Sequence, residues 1–86
     1  MNKNKIKRDL CNYILKNFMP NYNIKNLPLN LSLIDLEIID SFGIVEIVTF
    51  VEDKWLIKID NEEINRRNFG SINKMVNLIF KKIKKN

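Results

Sequence analysis

The chain has 86 residues, 45% of them hydrophobic, and a formal net charge of +5; this apolar content is typical of one small folded domain and excludes a disordered tail. It contains no histidine and one cysteine, Cys11, which excludes a histidine-dependent triad and an internal disulfide and favours a reducing cytoplasm. Its apolar runs are far shorter than the roughly 20 residues that span a bilayer, and Asp9 and Asn12 interrupt any signal-peptide region. We therefore expect a cytoplasmic protein without membrane contact, and the abundance of Asn, Lys and Ile is typical of an AT-rich bacterial genome.

The charges are segregated along the chain. Residues 1–34 carry six Lys or Arg and one acid, residues 35–63 carry two Lys and nine acids, and residues 64–86 carry seven Lys or Arg and no acid. A basic chain is often a nucleic-acid-binding protein. Here the acidic centre should repel phosphate backbones and attract basic protein surfaces, so we expect no specific nucleic-acid partner.

A helix is predicted over residues 3–18, followed by a long first loop over residues 20–39. The helix has one apolar stripe at steps of three and four residues, and Pro20 cannot continue it. The stripe consists of Ile6, Leu10, Tyr13, Ile14 and Phe18. Because so long a loop is uncommon unless it packs or functions, we expect its apolar side chains to lie across the helices. These are Leu27, Leu29, Leu31, Leu33 and Ile34.

The second predicted helix covers residues 41–54. Its β-branched residues lower helix propensity and are compatible with a strand, but the three-and-four spacing and the acids Glu46, Glu52 and Asp53 favour a helix. Its apolar stripe consists of Ile44, Ile47, Val48, Val51 and Trp55. A short extended connector is expected over residues 56–59.

A brief third helix is predicted over residues 61–65, since Glu62 and Glu63 suit the positive end of its dipole. Ser71 is expected to cap the last helix, residues 72–83, and the lysines of residues 81–85 are expected to be its solvated end. The fold class is therefore all-α: a small four-helix bundle of three longer helices and one short helix, in a single domain over residues 1–86. We expect a monomer.

Ser41 stands where the loop meets the second helix, with Asp40 before it and Glu46 five residues after it. An Asp-Ser pair at such a place is most often an ordinary helix cap; a presented serine without a histidine partner is alternatively a point of covalent attachment. No metal-ligand cluster, glycine-rich phosphate loop or catalytic triad can be assembled from these residues. We therefore expect no catalytic residues, no metal site and no enzymatic activity.

The stretch IIDSFGIVEIVTFVEDKWLIKIDNEEI resembles the signature of the acyl carrier protein family, in which Asp-Ser-Leu leads into a helix continuing Val-Glu-Leu-Val and a pair of acids. Phe69, Ser71 and Ile72 match the family's entry into its last helix, and the resemblance covers roughly residues 5–83. It implies an acyl-carrier-protein-like bundle with 4'-phosphopantetheine attached to Ser41, transferred from coenzyme A by a phosphopantetheinyl transferase. The arm would hold acyl or aminoacyl groups as thioesters for partner enzymes of a fatty-acid-like or specialised biosynthetic pathway.

The resemblance also implies partners and roles for the residues around Ser41. Asp40 would help the transferase, through the metal that accompanies coenzyme A. The acids Glu46, Glu52 and Asp53 would dock basic partners, and Phe42 with Val45 would form an exposed apolar contact patch beside them. The expected partners are the transferase, an adenylating acyl or aminoacyl ligase, and an acyltransferase or synthase.

Several positions depart from the family pattern. Phe42 stands where Leu or Met is usual, and Gly43 stands where an acid is frequent. Glu37 stands where glycine is common in the preceding turn, so the conformation of that turn is expected to differ. Trp55-Leu56 replaces the frequent Phe-Gly, and the terminal segments are basic. These departures favour a stand-alone carrier of a specialised pathway over the housekeeping fatty-acid carrier. The alternative is an unmodified small helical interaction module that binds basic protein or nucleic acid.

The remaining apolar residues of interest have plain structural interpretations. Cys11 is expected to be a small, half-buried apolar residue, because no histidine is present to activate it. Trp55, Phe50 and Phe69 are expected in the core. They are also candidates to line the space that shelters an acyl chain, where their bulk would favour a short cargo.

Overall fold

Residues 2–85 are described by a computed structural model, and within them the chain forms four α-helices and no strand. The helices are α1 (Lys3–Phe18), α2 (Ser41–Trp55), α3 (Arg66–Phe69) and α4 (Ile72–Lys85). Three are long and one is short, which confirms the all-α fold class with its long first loop. Met1, Asn86 and the side chain of Lys85, the last of the predicted basic end, lie outside the described part.

The core lies where α1 and α2 pack against α4. The side chains with almost no exposure come from the predicted apolar stripes: Ile6, Leu10, Ile14, Ile47, Val51, Ile72, Met75 and Ile79. Cys11, expected to be half-buried, is 1% exposed and belongs to the buried core. Three amphipathic helices thus bury their stripes against one another, as bundles require.

The long loop packs as predicted only in part. Leu27 and Leu33 are buried and Leu29 is half-buried, but Leu31 and Ile34 are 56% and 45% exposed. The prediction is wrong for these two because turns at residues 29–30 and 33–37 curl the chain, so its apolar side chains cannot all face the helices. The loop is held to α4 by the Asn73 N–H, which donates to the Leu29 carbonyl at 3.0 Å.

The third helix is not where the sequence predicted it. Instead of a helix over residues 61–65, the chain forms a 3₁₀ turn, Asn61–Glu63, and α3 begins only at Arg66. The turn is closed by the Glu63 carboxylate, which accepts from the Asp60 N–H at 2.9 Å. Asn65 then caps α3, since its side chain accepts from the Asn68 N–H at 3.0 Å. Asparagine is a strong N-cap, so the helix starts after it.

Candidate functional site

Ser41 is the first residue of α2, and Asp40 is its N-cap. Asp40 has extended backbone angles, and its carboxylate accepts from the Gly43 N–H at 2.9 Å. The interpretation of Ser41 as an ordinary N-cap is therefore wrong, because the neighbouring carboxylate fills that role. Ser41 itself is exposed. Its hydroxyl therefore lies at the start of the helix and is not required to cap it.

The turn before Asp40 holds this junction in place. The Leu33 carbonyl accepts from the N–H groups of Ile38 and Ile39 at 2.9 and 3.3 Å, and Ile39 is buried. Glu37 has a φ of 61°, the left-handed conformation that glycine adopts most readily. The glycine-like turn is thus kept although the residue is glutamate, and Ile39 fixes the chain immediately before the Asp-Ser pair.

Gly43 lies in close contact with the turn before α2 and with the end of α1. A Cβ at this position would lie 3.0 Å from the Ile39 Cβ and 3.3 Å from the Phe18 Cε1. Such distances are shorter than ordinary van der Waals contact, and Ile39 and Phe18 belong to packed elements. A side chain at position 43 would require Ile39 or Phe18 to shift by a few tenths of an ångström, so the packing here favours glycine.

A groove of about 400 Å³ opens on one side of Ser41. Its walls come from the first loop, α2, the segment before α3, and α3 itself. The lining residues are Ser32, Ile34, Ser41, Ile44, Val45, Ile64, Asn65, Arg66, Phe69 and Gly70. Most of them are apolar, so the groove suits an apolar chain in contact with Ser41.

Of the three aromatic residues expected to line such a space, one does so. Phe69 is buried and forms part of the groove. Phe50 instead stacks on Tyr13, with ring centroids 3.9 Å apart, and meets Trp55 edge-on at 5.8 Å. Phe50 therefore joins α2 to α1, and neither Phe50 nor Trp55 is among the residues that line the groove.

A second hollow, about 680 Å³ and more open, lies on the other side of Ser41. Phe42 and Glu46 line it together with the turn residues before α2. Phe42 is 80% exposed and Val45 58% exposed, as predicted for an apolar contact patch. Glu46 is exposed as well. The pKa of Tyr13 on α1 is raised by the partial burial of its own hydroxyl and by the nearby Glu46 carboxylate. The docking role of these residues remains a prediction.

Glu52 and Asp53 differ in their surroundings although they are adjacent. Asp53 is exposed, whereas Glu52 is half-buried and its carboxylate accepts from the Ile59 N–H at 2.9 Å. Glu52 therefore fixes the connector after α2. Because the Glu52 carboxylate is engaged in this hydrogen bond, Asp53 is the better docking candidate of the two.

One ion pair at the groove was not predicted from the sequence. Arg66 donates from Nη1 and Nη2 to the carboxylate of Asp35 at 3.0–3.2 Å, and these hydrogen bonds raise the pKa of Arg66 further. The two residues are 31 positions apart and lie on segments without helical periodicity. No local pattern in the sequence could therefore have paired them.

Comparisons with known proteins leave the family open, since a scan against protein-family models and a search of curated proteins find no match. In the described part of the chain, no helix is both long and apolar enough to cross a bilayer. Residues 2–85 also contain no group of three or more Asp, Glu or Cys side chains placed to hold a metal ion.

Proposed function

We propose that the protein is a stand-alone acyl carrier protein and that Ser41 carries a 4'-phosphopantetheine arm. The observation that carries this proposal is the division of roles at the start of α2. Asp40 caps the helix, which leaves an exposed Ser41 hydroxyl beside an apolar groove. Attachment would form one phosphodiester at the Ser41 Oγ and release the rest of coenzyme A.

The residues present fit this group. The first N–H groups of a helix have no partner within the helix, and a phosphodiester next to Ser41 would meet them at the positive end of the α2 dipole. When bound, the arm would supply a thiol that holds an acyl or aminoacyl group as a thioester. Ile44, Ile64 and Phe69 would shelter the apolar part of that cargo from water.

Two backbone conformations give independent support. Among the described residues, Glu37 and Leu56 are the non-glycine positions with positive φ, 61° and 54°. Both stand where the acyl carrier protein pattern commonly has glycine, a residue that adopts positive φ without steric cost. The chain therefore bends at these two positions in the way that the family's glycines would allow.

The proposed partners are a phosphopantetheinyl transferase, an adenylating acyl or aminoacyl ligase, and an acyltransferase or synthase. They would approach the exposed patch of Phe42, Val45, Glu46 and Asp53, and Asp40 would assist the transferase at the attachment step. In this function the protein catalyses no reaction itself; it positions the cargo for partner enzymes.

Intact-mass measurement tests the proposal. Wild-type protein is incubated with coenzyme A, Mg²⁺ and a broad-specificity transferase, and one phosphopantetheinyl group should be added. Ser41→Ala should take up none. Ser32→Ala, which removes the other hydroxyl of the groove lining, should be modified like wild type. An unmodified wild type, or a modified Ser41→Ala protein, would refute the carrier function.

A second candidate function is an unmodified interaction module that binds through its basic ends. The observation that favours it is the packing of α1 against α4, which brings Lys3 and Lys84 to the same ring, that of Phe80, at 5.7 and 5.3 Å from its centroid. The same mass measurement separates the two functions, because this module would need no modification.

A further inference from the structure

The groove beside Ser41 has one charged residue among its described lining residues, Arg66. The side chain of Asn65 is occupied, because its Oδ1 accepts from the Asn68 N–H and its Nδ2 donates to the Glu62 carbonyl. Ile44, Ile64 and Phe69 make much of the remaining wall apolar. A ligand in this groove therefore meets an apolar surface and a single cation.

The present partner of Arg66 is a carboxylate that it holds weakly. Asp35 and Arg66 have side chains that are 56% and 74% exposed. Ion pairs this exposed contribute little to stability and are screened by salt. Arg66 can therefore exchange Asp35 for another carboxylate at little cost.

The geometry of the pair also shows which chemical group Arg66 accepts. Its Nη1 and Nη2 both donate to the Asp35 carboxylate, the forked arrangement in which a guanidinium matches the two oxygens of a carboxylate. A carboxylate at the end of a ligand would present the same two oxygens. A methyl end would offer Arg66 no acceptor and would leave it paired with Asp35.

We propose that Arg66 selects cargo with a terminal carboxylate, such as the acyl group of a dicarboxylic acid. This inference rests on the proposed function, since the cargo would be carried on the arm at Ser41. Its apolar methylene groups lie on the wall formed by Ile44, Ile64 and Phe69. Its carboxylate replaces Asp35 on Arg66, so that an ion pair between carrier and cargo takes the place of the Asp35–Arg66 ion pair.

Two matched cargoes test this inference. The transferase is supplied with glutaryl-coenzyme A or with pentanoyl-coenzyme A, which differ in the terminal carboxylate but have the same number of carbons, and intact mass confirms loading. The glutaryl form of the wild type should melt roughly 2–4 °C above the pentanoyl form. This rise in melting temperature is smaller than one additional hydrogen bond would cause in so small a domain, because Asp35 loses its partner when the cargo binds Arg66. The Arg66 Nε–H resonance should move only with glutaryl.

Three variants separate cargo recognition from a structural role of the Asp35–Arg66 pair. Arg66→Gln should abolish the difference between the two cargoes, and Asp35→Asn should enlarge it by removing the competing carboxylate. Arg67→Gln, which changes the exposed neighbour that is not among the lining residues, should behave as wild type. A purely structural pair would shift both cargo forms equally in every variant.

The outcomes distinguish this inference from the function on which it rests. Equal melting temperatures for the two loaded wild-type forms, or a difference that persists in Arg66→Gln, would overturn the role of Arg66 and leave the carrier function standing. A wild type that cannot be loaded, by mass, would overturn both.

Discussion

Asp40 and Ser41 are adjacent, yet the side chain that caps the start of α2 is that of Asp40. An N-cap needs an oxygen that reaches an N–H of the first turn, and the aspartate supplies it. The serine is then free for chemistry that a capping hydroxyl would hinder. Asp40 has two properties, a capping oxygen and a negative charge, and conservative substitutions can separate them.

Asp40→Ala should lower the free energy of unfolding by about 1 kcal/mol, because it removes the cap. Asp40→Asn should keep nearly full stability, since asparagine caps as well as aspartate, while removing the charge. Urea unfolding measures the stabilities, and the rate of phosphopantetheine addition measures the role of the charge. We expect slower addition to both variants; an Asp40→Asn protein modified at the wild-type rate would restrict Asp40 to capping.

At the scale of residues, the sequence predicted the junction between the first loop and α2, but not which of its two polar residues caps the helix. Aspartate and serine are both good caps, so only the backbone conformation decides that Asp40 is the cap and Ser41 the first helical residue. Glu52 is a similar case. Its bond to the Ile59 N–H exists because the chain turns back after α2, which no property of the helix itself predicts.

The C-terminal end of α2 stores strain at Leu56. This residue has φ 54° and ψ 47°, the left-handed conformation, and is 84% exposed. Left-handed backbone costs a residue with a Cβ roughly 1–2 kcal/mol, and helices commonly place glycine at this point. Because the leucine side chain packs against almost nothing, its replacement changes the backbone energy alone.

Leu56→Gly should therefore stabilise the protein by up to about 1 kcal/mol, the relieved strain less the added freedom of glycine in the unfolded chain. For a domain of this size that corresponds to a rise of roughly 4–8 °C in melting temperature. Leu56→Ala is the control: it removes the exposed side chain but keeps the Cβ, so it should melt close to wild type. A Leu56→Gly protein that melts no higher than Leu56→Ala would show that the turn carries no strain.

At the scale of elements, helices with a buried stripe were predictable and the short helix was not. The three-and-four spacing of apolar residues in α1, α2 and α4 reports burial directly. The four residues of α3 are too few to show a period, and its position depends on the cap at Asn65 and on the burial of Phe69. The acids at positions 62 and 63 suggested a helix start, but both lie in a 3₁₀ turn that the Glu63 carboxylate closes.

At the scale of the whole molecule, charges that are segregated along the chain lie at different ends of α1. The Cβ position of Gly43, next to Ser41, approaches Phe18 at the end of α1, whereas the ring of Phe80 lies near Lys3 at the beginning of α1. At about 1.5 Å per residue these ends of α1 are roughly 20 Å apart. Lys3 and Lys84, which flank Phe80, therefore lie far from Ser41, while Asp40 and Glu46 near Ser41 are exposed.

Glu46→Lys should slow loading by the transferase or a ligase several-fold at low salt, because it places repulsion on the surface that basic partners approach. Stability should change by less than about 0.5 kcal/mol, as is usual for an exposed position. Lys81→Glu, a charge reversal at the exposed basic end, is the control and should load normally. Added salt should reduce the difference between wild type and Glu46→Lys; equal loading rates at low salt would place docking elsewhere.

The bundle as a whole followed from stripes in the sequence, but the groove did not. Its walls come from three separate parts of the chain, and one lining residue, Arg66, forms an ion pair with Asp35. Such features depend on how elements meet in space. The sequence therefore predicted the residues that surround Ser41 along the chain and, from the distant segment, Phe69; the tertiary packing added Ile64 and Arg66.

The burial of Cys11 has a consequence for the chemistry of sulfur in this protein. Enclosure in the α1 interface raises the pKa of its thiol above the ordinary value of 9.0, an effect that Lys7 only partly offsets. Attack on a thioester and disulfide exchange both need a thiolate that can reach its target, whereas Cys11 is buried and its raised pKa favours the neutral thiol. If Ser41 carries the proposed arm, Cys11 should therefore react slowly with a thioester on it, and a thiol reagent added to the native protein should titrate mainly the thiol of the arm.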